Sequence, residues 1–253
     1  MGTLDGTGDI DCSNMGLTSL EGCPEIVEGF FNCSGNRLTS LEGAPRISGN
    51  FDCSDNALVS LEGGPRTVNG DFNCSSNLLS CLKGGPSKVK GDFDCSSNHL
   101  ISLLGSPKKV KGVFDCSGNR LASLYGAPLE TASFNCSGNR LRSLQGAPDD
   151  VHADFNCSSN LLVSLDGAPE FVNGNFSCAD NMLENLAHGP VEVAGSFNCS
   201  GNRLVSLKRF PKRLSEALVR ASDFNGSNNG QGAQKIIKAP LKCSGNQHEV
   251  LSS

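Results

Sequence analysis

A cysteine recurs along this chain at positions 12, 33, 53, 74, 95, 116, 136, 157, 178 and 199, at intervals of 20 or 21 residues. No other feature constrains the fold so strongly. A fixed period of this length marks a solenoid, in which each repeat is one supersecondary unit that buries its apolar face only against its neighbours. Other residues are phased to the cysteine. Phe stands two residues before it from Phe31 through Phe197, with Ile10 in the first unit. Asn follows at three residues, except at Met15; Leu follows at five and at eight, as in Leu79 and Leu82; Pro follows at twelve, from Pro24 to Pro211. The unit reads approximately FxCSxNxLxSLxGxPxxVxG.

Each position has a physical reason. Phe-x-Cys alternates with the period of a strand, so both side chains enter one face and the residue between them faces out. An Asn just after a strand can satisfy backbone groups of the turn and of neighbouring coils. The two Leu residues fill the coil from the returning side, and about ten residues then remain before the next strand. That is too short for a helix with two turns, so the back is predicted to be extended or polyproline-like. Phe72, Cys74, Asn77, Leu79 and Leu82 exemplify the predicted structural core.

The pattern resembles the leucine-rich repeat, LxxLxLxxNxL, with Phe and Cys in the strand positions and Asn and Leu in place, over residues ~10–211. The short period and the Leu-x-Ser-Leu-x-Gly-x-Pro return are similar to the short bacterial class seen in type III secretion effectors. The FxCSxN flavour also resembles repeat proteins of bacteriophages and bacteria. The resemblance implies a β-rich solenoid of about ten repeats, with parallel strands, an extended convex side and little helix outside a C-terminal cap. The expected division is a lead-in over 1–9, the solenoid over 10–207 and a degenerate cap over 208–253. At roughly 4.8 Å per coil the array should be about 45–50 Å long.

Periodic cysteines could signal a metal site or a disulfide ladder. A column of small buried hydrophobes is the favoured reading, because stacked in-register thiols point the same way and no CxxC or Cys/His spacing occurs. No metal or cofactor is expected. Cys23, Cys81 and Cys243 lie outside the column and are the candidate reactive thiols. Buried free thiols fit a reducing compartment. The Asn-Cys-Ser sequons at Asn32, Asn73, Asn135, Asn156 and Asn198 fall on predicted strands, where glycans would crowd the sheet. The first residues lack a signal peptide's basic and apolar regions. The expected location is therefore a reducing cytoplasm or incorporation in a virion, without secretion by a signal peptide.

The outward position before each Cys is Asp, Asn or Ser, as is much of the row two residues earlier, locally acidic at Asp92, Asp94 and Asp115. This front face could meet a cation-bearing partner or Ca²⁺, but a solvated sheet face is favoured. Better anchors form a rim row after the Asn: Arg37, His99, Arg120, Arg140, Leu161, Met182 and Arg203, with Ala57 and Leu78 completing it. On the back, Arg66, Lys83, Lys88, Lys90, Lys108, Lys109 and Lys111 make a basic patch, followed by an acidic zone. Phosphate contact is one reading of the patch; without stacking aromatics, a solvated or protein-facing surface is preferred. Nucleic acid is accordingly disfavoured as a partner. With a net charge of −5, only 19% charged residues and no long apolar run, the composition does not suit a membrane protein or a disordered chain.

Beyond Leu207 the repeat fails. Residues 212–224 carry Leu214 and Leu218 at helical spacing and are predicted as a short amphipathic helix, and two later stretches echo FNCSGN. The cap's basic residues are further candidates for a partner, and the N-terminal end is expected to stay open for docking or self-association. No GxxxxGK[ST], HExxH or GxSxG arrangement occurs, and the four His occupy unrelated repeat positions. The sequence thus points to a non-enzymatic module that binds another protein or itself in a bacterial or phage setting. The alternatives are a structural or decoration component of a virion or similar particle, and an effector acting on host or defence proteins.

Overall fold

A computed structural model describes residues 8–47, 49–205, Pro211 and the strands Glu216–Leu218 and Ile236–Ile237. The chain winds as a parallel β-solenoid. One strand per repeat, from Ile10–Asp11 and Phe31–Asn32 through Phe176–Ser177 to Ser196–Asn198, joins a single continuous sheet in sequence order. The register is strict: Phe51 pairs with Phe72, Phe72 with Phe93, and Phe93 with Phe114. Repetition at constant phase forces this, since a slip of one residue would turn every Phe and Cys to the solvent.

The interior is a set of columns. Phe rings from Phe31 to Phe197 stack with successive centroids between 5.2 and 5.8 Å apart, near the offset-stacked optimum. The Cys, both Leu and a Val from the return segment form the other columns; the described Cys and Leu are buried from the second unit onward, and the Val column is buried apart from Ile47, which is half-buried. Thr131 takes the place of Val in one coil. Its hydroxyl is buried but donates within hydrogen-bond range of the Gly112 and Ser133 carbonyls (2.8 and 2.9 Å), so the polar substitution leaves nothing unpaired.

The back of the solenoid is extended, as the residue count requires, and more regular than polyproline. Thr67–Val68 pairs with Lys88–Val89, Glu130–Thr131 with Asp150–Val151, and Phe171–Val172 with Glu192–Val193, all in parallel. Isolated bridges join Val89 to Val110 and Lys109 to Glu130. The buried Val column holds these short ladders against the core.

Two side-chain ladders tie coil to coil. Asn77 Nδ2 donates to the carbonyls of Cys74 (3.2 Å) and Ser75 (3.1 Å) in its own turn, and to that of Cys53 in the preceding coil (3.0 Å). Its Oδ1 accepts from Leu58 N at 2.9 Å. The same set recurs at Asn98, Asn119, Asn139, Asn160, Asn181 and Asn202. In the first described unit Met15 stands at the Asn position and contributes its main chain to the next Asn. Asn36 accepts from Met15 N at 3.0 Å.

The second ladder uses the row three residues before the Cys. Asp71 N donates to Asn50 Oδ1, Asp92 N to Asp71 Oδ1, and Val113 N to Asp92 Oδ1, at 2.9, 2.8 and 2.7 Å. Gly stands just before this row because the carboxylate or amide of the previous coil occupies the place of a β-carbon. A Cβ on Gly70, Gly91 or Gly112 would lie 1.8–2.0 Å from such an oxygen. Ala replaces Gly at Ala132 and Ala153, where the preceding coil offers Val113 or Ser133; where it offers Phe30, Gly49 is kept, and a Cβ there would meet the Gly29 carbonyl oxygen at 2.7 Å.

The C-terminal expectation needs correction. Glu216–Leu218, inside the predicted amphipathic helix, forms a strand that pairs in parallel with Ser196–Asn198, with Ala217 opposite Phe197. Ile236–Ile237 then pairs antiparallel with it. The exposed edge of the last full repeat offers main-chain hydrogen bonds that a short isolated helix cannot match. The remainder of 208–253, with its FNCSGN echoes, basic residues and Cys243, lies outside the described residues, as does most of the 1–9 lead-in.

Candidate binding surface

The front face is largely consumed by the fold. Besides the row that caps the next coil's N–H groups, the row just before the Cys is engaged locally: Ser75 N and Oγ both donate to Asn73 Oδ1 (3.0 and 2.8 Å). Neighbouring coils relieve the acidic stretch directly, with Asn135 Nδ2 donating to Asp115 Oδ2 at 2.9 Å. Asp94 lacks such relief. Burial, outweighing the bonds from Ser96, raises its pKa above the ordinary carboxylate value, and Asp115 and Asp52 add to the effect. These oxygens lie in rows and serve backbone and amide donors. Among the described residues, no group of three or more His, Cys, Asp or Glu is placed to hold a metal ion. The sequon residues Asn73, Asn135, Asn156 and Asn198 accept bonds from the following Ser in the same way as their Asp counterparts.

Cysteines of the column are free and, from Cys33 to Cys199, buried. Several point their thiols at the next coil's carbonyl, as Cys53 Sγ does at Asn73 O (3.3 Å) and Cys95 Sγ at Asp115 O (3.2 Å). Burial is the first cause pushing the thiols of Cys53, Cys74, Cys95, Cys116, Cys157 and Cys178 well above their usual range, so they stay protonated. Cys23 is half-buried against the core and its thiol is likewise raised by desolvation; Cys81 is half-buried at a position where other repeats carry Ser. That Ser elsewhere accepts from the main chain two residues on, as Ser102 Oγ does from Leu104 N (3.1 Å).

The rim row is one continuous feature. Each member donates its main-chain N–H to a Leu carbonyl of the preceding coil: His99 to Leu79, Arg120 to Leu100, Arg140 to Leu121, Leu161 to Leu141, Met182 to Leu162 and Arg203 to Leu183, at 2.9–3.0 Å. Arg37, bonded to Leu17 O, belongs to the same line. Arg37, His99, Arg120, Arg140 and Arg203 are exposed, whereas Leu161 and Met182 are half-buried. Sequence reasoning missed the row beside it. The buried Leu that follows each rim residue alternates with a second outward position, occupied by Thr39, Val59, Ser80, Ile101, Ala122, Arg142, Val163, Glu184 and Val205. The period-two alternation around that Leu was the available signal. Ile101 is 68% exposed and Val163 54%, and Arg142 is exposed between them.

The back patch is partly neutralised within the chain. Lys83 Nζ pairs with Glu62 in the coil before at 3.0 Å, and Lys109 Nζ with Glu130 in the coil after at 2.6 Å. Arg46 pairs with Glu25 in the same manner. Glu130 also faces His152 Nε2 at 3.3 Å; the Lys109 bond, then that of His152, draws the Glu130 pKa down. Arg66, Lys88, Lys90, Lys108 and Lys111 are exposed on consecutive coils. The basic and acidic zones therefore meet at a seam of cross-coil ion pairs, which are screened and individually worth little. No helix among the described residues is long and apolar enough to cross a membrane.

No family model matches the chain, and no curated protein matches it. Among solved structures it is similar to YopM of Yersinia pestis, described as a leucine-rich effector protein, with 18% identity, a TM-score of 0.52, and coverage of 87% of this chain and 74% of that one. It is also similar to YopM from Yersinia enterocolitica WA-314, with 19% identity and a TM-score of 0.41 over 83% of this chain. In that second case it spans 65% of the other chain's length. The Yersinia pestis likeness, together with the register and the repeat length, shows a leucine-rich-repeat fold of the short type.

Proposed function

We propose that this leucine-rich-repeat solenoid is a non-enzymatic protein-interaction module that holds its partner along the rim row from Arg37 to Arg203. One observation carries the reading. The front face is nearly uniform from coil to coil and its polar atoms serve the fold, while the rim varies in charge, size and polarity and exposes Arg37, Leu78, His99, Arg120, Arg140 and Arg203. Variation on a rigid, repeated frame is how solenoids diversify a binding surface. The free thiol column supports a reducing compartment, and the likeness to a bacterial leucine-rich effector supports a bacterial or phage setting. The test is affinity capture with the wild-type chain and with Arg120→Ala/Arg140→Ala, using unfolding curves to verify that both are folded. A partner captured in fixed ratio by the first and lost with the second is expected. Capture unaffected by the double substitution removes the rim from the case.

The uniformity of the front face favours a second reading, in which the solenoid is a structural or decoration component of a virion or similar particle. Copy number in a purified particle separates the two: fixed stoichiometric presence there excludes a soluble adaptor, and absence excludes the particle role.

A further inference from the structure

The rim arginines share a local sequence that isolates their charge. Arg37, Arg120, Arg140 and Arg203 each close a Ser-Gly-Asn-Arg turn, so the residue two before each is Gly. The other repeats place Asn14, Asp55, Ser76, Ser97, Ser159 or Asp180 at that turn position and never an Arg on the rim. Wherever the guanidinium stands, the neighbouring turn residue brings no carboxylate and no side chain.

Packing accounts for two of these glycines, bears lightly on Gly138 and does not account for Gly118. A β-carbon on Gly35 or Gly201 would strike Asn14 Oδ1 or Asp180 Oδ1 at 2.3 and 2.1 Å. On Gly118 it would meet nothing nearer than Ser97 N at 3.5 Å, and on Gly138 nothing nearer than Gly118 N at 3.3 Å. Nor does the turn demand glycine, because Ser76, Ser97 and Ser159 hold it at φ of 53, 54 and 55°. Gly118 and Gly138 thus place no side chain beside Arg120 and Arg140, on adjacent coils, and at Gly118 a β-carbon would make only ordinary contacts.

A third guanidinium completes the patch. Arg142 follows Arg140 with buried Leu141 between them, so both face outward about 7 Å apart along the chain, while Arg120 lies one coil away at about 4.8 Å. Among the described residues, no carboxylate stands within ion-pair range of Arg120, Arg140 or Arg142, in contrast to Lys83, Lys109 and Arg46 on the back. Like charges gathered this closely repel, and an anion that bridges them removes the repulsion and gains forked, charge-assisted hydrogen bonds. Ile101 and Val163 flank the patch with exposed apolar surface. His99 is the one aromatic ring in the two outward rows, and no Trp, Tyr or Phe stands there as a platform for successive bases, which favours a peptide over a nucleic acid.

Resting on the rim reading, we propose that Arg120, Arg140 and Arg142 bind an acidic protein segment, with its carboxylates on the guanidinia and its apolar side chains against Ile101 and Val163. Fluorescein-labelled poly-L-glutamate is the probe, with labelled oligo-dT in parallel. Binding to the wild-type chain is compared with that to Arg120→Gln/Arg140→Gln/Arg142→Gln and to a back-face control of equal charge loss, Lys88→Gln/Lys90→Gln/Lys111→Gln. The expected result is poly-glutamate binding that weakens at least about tenfold in the rim variant and stays within about twofold of wild type in the control. It should also fall steeply from about 0.05 to about 0.5 M salt. Equal loss in both variants, no binding of poly-glutamate, or oligo-dT binding of equal strength through the same arginines overturns the proposal. Partner capture lost in Arg120→Ala/Arg140→Ala without any poly-glutamate binding overturns the acidic chemistry alone and leaves the rim reading standing. Capture unaffected by that variant removes both.

Discussion

Asp92 Oδ1 lies where a β-carbon on Gly112 would stand, 1.9 Å from it, and accepts the next N–H, that of Val113, at 2.7 Å. A carboxylate and an absent side chain, 20 residues apart, thus make one joint between coils. Alanine at Gly112 should cost about 1–3 kcal/mol by forcing that oxygen aside. Asp92→Val combined with Gly112→Ala should recover at least about half of the loss, because it reproduces the pairing of Val113 with Ala132 found one coil on. Urea unfolding of the two single variants and the pair measures this; strict additivity would mean that the two positions do not communicate.

The asparagine ladder should be unforgiving. Asn77→Asp keeps the shape but replaces the donor facing the Cys53, Cys74 and Ser75 carbonyls with an acceptor. With Asn77 buried, a loss of about 3 kcal/mol or more is expected. Hydrogen exchange should show the opening centred on the coils that contain Cys53 and Cys74. A loss below about 1 kcal/mol would mean that water replaces those bonds.

Thiol labelling should divide the cysteines by burial. In the folded chain, iodoacetamide should modify Cys81, Cys23 and Cys12, all half-buried, before any of Cys33 to Cys199. The thiols of Cys12 and Cys23 are raised chiefly by desolvation, so their labelling should accelerate only as the pH passes above the ordinary thiol range. Labelled peptides identified by mass spectrometry are the readout. Early modification of Cys95 or Cys116 would contradict the buried column.

Asp94 should be a net burden at neutral pH. Its pKa is raised in the folded state, so the native chain holds this proton more tightly than the unfolded one just above pH 3.8. Stability from this group is therefore present below that range, is lost as pH rises through it, and stays lost at neutrality. Asp94→Asn keeps an acceptor for Ser96 N, just as Asn73 serves Ser75, and should stabilise the neutral protein by about 0.2–1 kcal/mol. The gain should vanish in acid. Thermal unfolding at several pH values tests it, and a pH-independent difference would refute the assignment.

Much of the fold could be read from residues that repeat in phase. Phe72, Cys74, Leu79 and Leu82 were legible as core because their spacing alone puts them on one side of a coil, and Asn77 because a buried turn must satisfy its carbonyls. The rim row was legible for the same reason. Arg142, Ile101 and Val163 were visible only once Leu141, Leu100 and Leu162 were seen buried between two outward rows. The strand at Glu216–Leu218 was not legible, since Leu214 and Leu218 carry helical spacing while the deciding hydrogen bonds come from Ser196–Asn198, outside any local window.

The sequence by itself determined the solenoid, its pitch, its buried columns and its line of rim residues, because a fixed period leaves each coil only its neighbour to pack against. Only the tertiary structure decided which polar residues remain free for a partner. Asp71 and Asp92 are taken up by main-chain N–H groups one coil away, Lys83 and Lys109 by carboxylates of adjacent coils, and Arg120, Arg140 and Arg142 have no such carboxylate among the described residues. Those pairings join residues about 20 apart and depend on the direction each side chain takes from its coil, which residue spacing does not encode.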